Sequence, residues 1–467
     1  MERCRLVLLH FRFGGFRFRR RRCFLYCRMR NFRTMLFQLI PAGAALLLGL
    51  ILSAAHQPNL HPASAAPAPP GADSPLLDSL LRSNPALLPV VTQAGKYSLQ
   101  VIYTQINRDS QQRPHFTQHS FRLNARQYFN PASLVKLPVA ALALEKLNRL
   151  HQPGLSRRSP MATGTAFRCQ TPVPYVATAD SDRLNTVGNY VKRMLLVSDN
   201  NAYNRLYEFL GQGPLNERLG QLGHGSTRIV RRFAPCDTAA NRHTNPVTFY
   251  NKQGAVAYEQ PAAFNAQPLS FPLGRITQGR AYRAGGQLIS QPYDFTTANY
   301  LPLQDVTDIL KAVLFPEAVS PEARFTLTVE DHAFLRYYLQ SSPHASGFRP
   351  FTSRQYFDAY KKYLYYGRSP AARFQPGLRI YNVVGMSHGY VADVAYFADL
   401  LTGTEFMLSA VLYVNSDGVI NDGTYEYTSV GLPFLAQLGQ TVAQYEAQRP
   451  YTVRPDLSAL TTEPAVR

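Results

Sequence analysis

The sequence predicts an α+β fold in two parts: an antiparallel sheet flanked by helices, and an all-helical part. Three observations lead to this prediction. Segments rich in β-branched and aromatic residues lie towards both ends of the chain, so one sheet can be completed from the two termini. Between them, from residue 133 to about 247, apolar residues recur with helical spacing. Residues 432–446 form an amphipathic pattern that predicts a closing helix.

The chain begins with a basic leader, residues 1–34. Its first 33 residues hold eleven Arg and one Glu, and so carry +10 of the formal net charge of +20. Interleaved Phe and Arg would suit an RNA-binding arm. The alternative is a leader ahead of the true start, with Met29 or Met35 as initiator. We prefer the second interpretation because an export signal follows directly, and we expect no nucleic-acid partner.

An apolar run at residues 36–55 follows Arg30 and Arg33 and ends in small residues. This order predicts a signal peptide at residues 35–57, or a membrane anchor if the segment is not cleaved. The protein is therefore expected outside the cytoplasm, periplasmic or extracellular, free or membrane-anchored. Residues 58–75 are rich in Pro and Ala and predict a flexible tether.

Residues 76–450 are predicted to form one catalytic domain, followed by a tail at residues 451–467. A short helix is expected at residues 74–88. The predicted strands are residues 97–106, 119–123, 379–384, 390–397 and 405–414. Residues 251–300 lack a helical period and are interpreted as an insertion, either one that sets substrate choice or a surface elaboration.

Two cysteines, Cys169 and Cys236, follow the leader and the apolar run. An exported protein permits a disulfide, but the sequence leaves open whether these two pair. Neither lies in a pattern typical of a metal site, and no Gly-rich phosphate loop is present. We therefore expect no metal and no cofactor.

Ser133 and Lys136 form the single Ser-x-x-Lys of the chain, at the start of an apolar helix. Three residues make just under one helical turn, so the hydroxyl and the amine project from one face. An amine that can lose its proton turns a Ser hydroxyl into a competent nucleophile. The alternative is a partly exposed Ser beside a Lys whose amine reaches solvent.

Ser198, Asp199 and Asn200 lie between two helical stretches. Such a triplet is usually a turn or an N-cap. It can also face a nucleophile, in which case the Ser relays a proton to the leaving group and the amide of the Asn positions a substrate carbonyl. This predicts Ser198 as catalytic and Asn200 as substrate-binding.

With these two motifs the chain resembles the serine penicillin-recognising enzymes, class A β-lactamases in particular, over roughly residues 95–445. The resemblance implies a β-lactamase/transpeptidase-like fold. It also implies an exported serine hydrolase, a monomer without cofactor, that opens β-lactam amides through a Ser133 acyl-enzyme and so degrades antibiotics. Alternatives are a peptidase acting on peptidoglycan peptides and a pocket protein without catalysis.

The third motif of that family, Lys-Thr-Gly on a strand, is degenerate. The resemblance places Val383 where the family has Lys, and it makes Gly385, Met386 and Ser387 substrate-binding. A cation at position 383 would attract the substrate carboxylate and help keep Lys136 neutral. His388 is a candidate replacement for that cation.

Class A enzymes also use a Glu, on a loop after the second motif, to activate the deacylating water. The matching segment, residues 227–246, contains Asp237 but no Glu. Without that base the ester would hydrolyse slowly. The resemblance therefore implies slow turnover, as in a penicillin-binding protein.

Overall fold

The computed structural model describes residues 71–177, 181–351, 353 and 355–460. The basic leader, the apolar run at residues 36–55, most of the predicted tether and the end of the C-terminal tail lie outside the described residues. Within the described ranges, no helix is long and apolar enough to cross a membrane.

The helix predicted at residues 432–446 is confirmed, and the one predicted at residues 74–88 is shorter, ending at Ser83, with a separate short helix starting at Leu88. The helices, in chain order, are α1 (Pro75–Ser83), α2 (Leu88–Val91), α3 (Lys136–Arg149), α4 (Val187–Val197), α5 (Asn200–Leu210), α6 (Gln212–Gln221), α7 (Thr238–Asn241), α8 (Leu303–Leu314), α9 (Val329–Gln340) and α10 (Leu432–Gln448). The sequence analysis assigned neither α8 nor α9. A signal for α9 was available, since Thr328 and Asp331 form a capping box at its start.

The strands include all five predicted ones, with shifted ends. In chain order they are β1 (Gln100–Arg108), β2 (Pro114–Phe121), β3 (Met161–Thr163), β4 (His243–Thr244), β5 (Val247–Tyr250), β6 (Val256–Gln260), β7 (Ala263–Phe264), β8 (Thr277–Gln278), β9 (Ala281–Ala284), β10 (Gln287–Ile289), β11 (Tyr293–Asp294), β12 (Leu378–Ser387), β13 (Tyr390–Asp399), β14 (Thr404–Tyr413) and β15 (Val419–Ile420). Strand β2 begins five residues before its predicted start. Only its two end residues are buried, so its sequence lacks the apolar alternation that marks a half-buried strand.

One antiparallel sheet joins the two ends of the chain, as the fold class predicted. Its strand order is β12–β13–β14–β1–β2. The C-terminal strands pair in sequence, and the N-terminal hairpin adds to them through β1 and β14, with Gln100 opposite Val411. Strand β12 is therefore an outer strand, and the backbone groups on its free edge can bind a ligand.

Apolar side chains cover both faces of the sheet. Strand β12 illustrates this, because Tyr381 and Val383 pack into the core with helices α3, α4, α8 and α9, whereas Ile380 and Val384 pack into the core with α1, α2 and α10. Alternation of side chains along a strand produces this division. Helix α3 lies in the first core and is buried along nearly its whole length. The helical layer and the outer strand β12 together frame the candidate site.

Candidate active site

Ser133 lies in the 3₁₀ turn Ala132–Val135, directly before α3. Ala132 has a left-handed φ of 45°, and its N–H donates to Asn130 Oδ1 at 3.0 Å. Leu134 and Val135 are fully buried, whereas Ser133 is half-buried. The turn is thus anchored by apolar side chains on both sides of Ser133, the partner of Lys136. Backbone in a sparsely populated conformation is common at functional sites.

Lys136 brings four of the predicted site residues together. Its Nζ lies 2.9 Å from Ser133 Oγ and 2.9 Å from Ser198 Oγ. It also donates to Asn200 Oδ1 at 2.7 Å and to the Ser198 carbonyl. The two motifs, far apart in sequence, therefore meet at one amine.

Residues Ser198–Asn200 form a turn and also belong to this site. The structural interpretation of the triplet, as a turn and N-cap, and the functional one are therefore both correct. Ser198 ends α4 in a left-handed conformation with φ of 62°. Asp199 caps α5 by accepting from the N–H groups of Asn201 and Ala202 at 2.8 and 3.0 Å. The capped turn fixes the Ser198 hydroxyl and the Asn200 amide on either side of Lys136 Nζ.

The amine of Lys136 is held in an environment that favours loss of its proton. The side chain is 1% exposed, and burial lowers its pKa to about 7, with a further lowering by the charge of Lys361 and an opposing effect of Asp199. The ring of Phe233 lies 5.0 Å from the Nζ. At neutral pH a large fraction of the amine is thus free to accept a proton from a hydroxyl.

The outer strand β12 approaches the nucleophile turn at Gly385. A Cβ on this residue would lie 2.5 Å from the Pro131 carbonyl oxygen, so only glycine permits the contact. Met386 and Ser387 follow, both half-buried, at the end of the strand. Gly385 thereby brings the edge of the sheet to the turn that carries Ser133.

Val383 is buried in apolar surroundings and supplies no charge. His388 does not replace the missing cation. Burial, and then the charge of Arg231, lower its pKa to about 4, so the imidazole is neutral at pH 7. Its Nδ1 lies 2.6 Å from Ser387 Oγ and 3.0 Å from Asn130 Nδ2. His388 therefore links the end of β12 to the loop before Ser133.

The loop at residues 227–246 is held firmly beside the site. Phe233 N donates to Asn204 Oδ1 at 2.8 Å. Nearby, Arg232 and Glu208 form an ion pair at 2.8 Å, with both side chains buried. Farther along the loop, Cys236 forms a disulfide with Cys169, which answers the question that the sequence left open. These contacts fix the ring of Phe233 over Lys136.

Asp237 is committed to other contacts. Its carboxylate caps α7 by accepting from Ala240 N at 2.7 Å, and it pairs with Arg168. Its side chain is about half exposed. The residues that follow Phe233, Ala234 and Pro235, carry no group that can accept a proton.

The segment at residues 251–300, which the sequence predicts to be an insertion, borders the same end of the site. It consists mainly of short strands and turns, without a helix among its described residues. The rings of Tyr293 and Phe295 lie 5.6 and 5.4 Å from that of His388. This segment thus packs beside His388, in the turn between β12 and β13.

Sequence reasoning missed a second polar cluster, made of Lys361, Lys362 and Asp393. All three are buried. One sequence signal existed: Lys is scarce, only 8 residues of 467, and two of the eight stand together between tyrosines. A buried charge normally has a specific reason to be there.

A sequence model of the beta-lactamase enzyme family matches residues 88–327. The chain belongs to this family. The matched part includes both motifs that meet at Lys136. Membership makes the protein a β-lactamase-like hydrolase by family, as the resemblance of the motifs implied. Strands β12 to β14 and helix α10 lie beyond the matched residues.

Three solved structures are similar to this chain. The beta-lactamase from Sphaerobacter thermophilus DSM 20745 is 12% identical, with 80% of this chain and 98% of that chain covered and a TM-score of 0.42. That from Desulfarculus baarsii DSM 2075 is 14% identical, with the same coverage and a TM-score of 0.42. A beta-lactamase from Burkholderia ambifaria is 14% identical, with 80% and 100% covered and a TM-score of 0.39. A search of curated proteins found no match.

Proposed function

We propose that the protein is an exported serine hydrolase of the class A type that opens β-lactam amides through an acyl-enzyme at Ser133. One observation carries the proposal. A buried amine with a pKa lowered to about 7, that of Lys136, lies 2.9 Å from both Ser133 Oγ and Ser198 Oγ. A hydroxyl within hydrogen-bond reach of such a base is an activated nucleophile.

The reaction begins with attack of Ser133 Oγ on the β-lactam carbonyl carbon while Lys136 takes the hydroxyl proton. The amide C–N bond then breaks, and Ser198 passes a proton, received from Lys136, to the departing nitrogen. The product is an ester of Ser133 with the ring opened. Contacts of Ser198 and Asn200 with the same amine support this proton path.

We assign stabilisation of the oxyanion to the backbone N–H groups of Ser133 and Met386. Two N–H donors aimed at the developing charge stabilise a tetrahedral intermediate. The close approach of Gly385 to the turn before Ser133 supports this assignment. Ser387 and Asn200 complete the substrate-binding groups.

Turnover is proposed to be slow, with the ester accumulating. The loop beside Lys136 offers no Glu, and its one Asp is engaged in a helix cap and an ion pair. A water molecule near the ester would therefore lack a general base. The apolar Val383 and the neutral His388 leave the substrate carboxylate without the strand cation of the family.

Export is supported by the disulfide between Cys169 and Cys236, because disulfides persist in oxidising compartments. The apolar segment at residues 36–55 is the proposed export signal or anchor.

A second function, cleavage of peptidoglycan peptides, uses the same acylation chemistry. It is favoured by one of the features that argue against an efficient β-lactamase, namely that the loop at residues 227–246 offers no free carboxylate for deacylation. A peptidase can pass its acyl group to an amine instead of water, and an amine nucleophile has less need of a base that activates water.

The test is the intact mass of the protein after incubation with a fluorescent penicillin. We expect one adduct per chain, and none on Ser133→Ala. Ser120→Ala, which removes a hydroxyl on β2 at the opposite end of the sheet from β12, is the matched control and should label like wild type. Equal labelling of Ser133→Ala and wild type would refute the assignment of the nucleophile.

A further inference from the structure

Three aromatic side chains of the segment at residues 251–300 meet beside the end of β12. The ring of Tyr293 lies 4.7 Å from that of Phe295 and 5.2 Å from that of Tyr282. It also lies 5.6 Å from the ring of His388. Phe295 is 2% exposed, whereas Tyr282 and Tyr293 are half-buried. The rings of Tyr282, Tyr293 and Phe295 thus form an aromatic wall in which Phe295 is the buried support and the two tyrosines keep accessible surface.

The aromatic wall is fastened to the part of the chain that follows β14. Strand β9, which carries Tyr282, pairs in parallel with β15. Arg280 donates from its backbone N–H to the Gly418 carbonyl at 2.8 Å and from Nε to the Asp417 carbonyl at 2.6 Å. A Cβ on Gly279 would lie 2.6 Å from the Gly418 carbonyl oxygen, so only glycine permits this approach. These contacts hold the wall in place against the sheet.

Asn299 fastens the same segment to the other borders of the candidate site. Its Oδ1 accepts from the N–H groups of Val230 and Arg231 at 2.8 and 3.2 Å, in the loop at residues 227–246. Its carbonyl accepts from the Tyr128 hydroxyl at 3.4 Å, in the chain that leads to the nucleophile turn. Asn299 is 4% exposed. A surface elaboration has no need of buried contacts with both of these elements, so the segment is better interpreted as part of the site.

The aromatic wall borders one defined end of the proposed substrate site. With the oxyanion held by Ser133 and Met386, the resemblance to the family puts the substrate carboxylate towards Val383. Residues along a strand rise by about 3.3 Å each, so His388 lies roughly 6 Å beyond Met386 in the opposite direction. In a penicillin the carboxylate lies on the ring-nitrogen side of the reactive carbonyl, and the acylamino group lies on the other side. The wall beside His388 therefore borders the end that receives the acylamino group.

We propose that the aromatic wall is the subsite for the acyl side chain of the substrate, and that it selects side chains that carry an aromatic ring. The inference rests on the proposed function, which supplies the reacting carbonyl. Aromatic rings attract one another in offset or edge-to-face contacts, beyond the effect of the area that they bury. The planes of Tyr282 and Tyr293 are 88° apart, so a phenyl ring between them would meet the face of one and the edge of the other.

The alternative is that these rings only fill a small core. Tyr128, Phe295 and Tyr300 are indeed buried together, and Tyr293 packs against them. Tyr293 is nevertheless half-buried, and among the described residues its hydroxyl has no hydrogen-bond partner. The two interpretations predict different results. Loss of a core ring would impair the reaction with every substrate, whereas loss of a subsite ring would impair only substrates that carry the side chain.

The first test compares acylation by two substrates, each in competition with a fluorescent penicillin. Benzylpenicillin carries a phenyl ring on its acyl side chain, and 6-aminopenicillanic acid has no acyl side chain. Tyr293→Ala should slow acylation by benzylpenicillin about tenfold and change acylation by 6-aminopenicillanic acid by less than about twofold. Tyr293→Phe keeps the ring and should behave like wild type.

Tyr258→Ala is the matched control for this test. Tyr258 is a half-buried tyrosine of the same segment, in β6, and packs against Phe249. Its removal should leave the ratio of the two acylation rates unchanged. An equal loss for both substrates in Tyr293→Ala, or an unchanged ratio in that variant, would overturn the proposal.

A second test needs no acylation. N-phenylacetylglycine carries the side chain of benzylpenicillin without a β-lactam ring, and saturation-transfer NMR detects contact of its phenyl protons with the protein. The signal should appear with wild type, Ser133→Ala and Tyr258→Ala, and should be lost with Tyr293→Ala. A signal that does not depend on Tyr293 would overturn the proposal. If the signal depends on Tyr293 but no penicillin labels Ser133, the proposed function fails while the subsite stands.

Discussion

The helices and the strand that border the candidate site differ in their polar groups. On the helical side, Ser133, Lys136, Ser198 and Asn200 form a connected set with every distance at or below 2.9 Å. By contrast, β12 contributes an apolar Val383, and the loop at residues 227–246 contributes a phenyl ring. Among the described residues, the groups proposed to form the acyl-enzyme meet at Lys136, whereas neither Val383 nor Phe233 supplies the cation or the base that rapid hydrolysis needs.

This difference indicates that forming the ester and releasing it place separate demands on the protein. Acylation needs a neutral amine, a hydroxyl and oxyanion donors, all of which lie on or beside α3, α4 and β12. Release needs in addition a base for water. The groups proposed for acylation and the loop that would carry a base for water occupy different elements, so one set can be present without the other.

The largest effect on the rate of penicillin labelling is expected from a substitution in the helices. Lys136→Ala should slow penicillin labelling at pH 7.5 by a factor of at least ~100, since Ser133 loses its base. Stopped-flow fluorescence of the labelling reaction measures this. Lys146→Ala is a suitable control, because Lys146 is a half-buried lysine of the same helix that contacts Phe209 and Gln260 instead of the site. Labelling of Lys136→Ala at the wild-type rate would assign the base to another group.

A smaller effect is expected from restoring a charge on the strand. Val383→Lys should raise the rate of acylation by about tenfold and leave deacylation unchanged, because the new cation acts on binding and on Lys136 instead of on water. Val383→Met, of similar length and uncharged, is the matched control for the change in packing. Single-turnover kinetics separates the two steps. A larger gain in deacylation than in acylation would show that the strand cation also serves the water.

The smallest effect is expected at Asp237. Asp237→Asn should change the hydrolysis rate by less than about twofold, since the carboxylate caps α7 and pairs with Arg168. The substitution should instead lower the free energy of unfolding, by about 1 kcal/mol or less, because it weakens a helix cap and removes an exposed ion pair. Steady-state hydrolysis and a thermal melt measure the two quantities. A tenfold loss of hydrolysis at unchanged stability would make Asp237 the base.

The sequence was sufficient to predict the features that depend on residues close together in the chain. Ser133 and Lys136 are three residues apart, and the triplet at Ser198 lies between two clear helical periods, so both motifs could be read directly. The buried strands β13 and β14 have continuous apolar and aromatic character. The exposed strand β2 lacks it, which explains its late predicted start.

The sequence was not sufficient where the contact is long-range. Lys361 contacts the Leu195 carbonyl although the two are 166 residues apart, and its local sequence of charged and aromatic residues resembles that of an exposed turn. Whether Cys169 and Cys236 pair depends on the path of the loop at residues 227–246. The number of residues between the two cysteines does not determine that path. His388 was a reasonable candidate cation by position, and only its burial showed that it is neutral.

The central claim, that the ester forms readily and is released slowly, is tested most directly by pre-steady-state kinetics with a chromogenic cephalosporin. We predict a burst equal to one equivalent of protein, followed by a slow phase set by deacylation. Steady hydrolysis without a burst, at or above ~100 per second as in efficient enzymes, would contradict it and would show that another group activates the water.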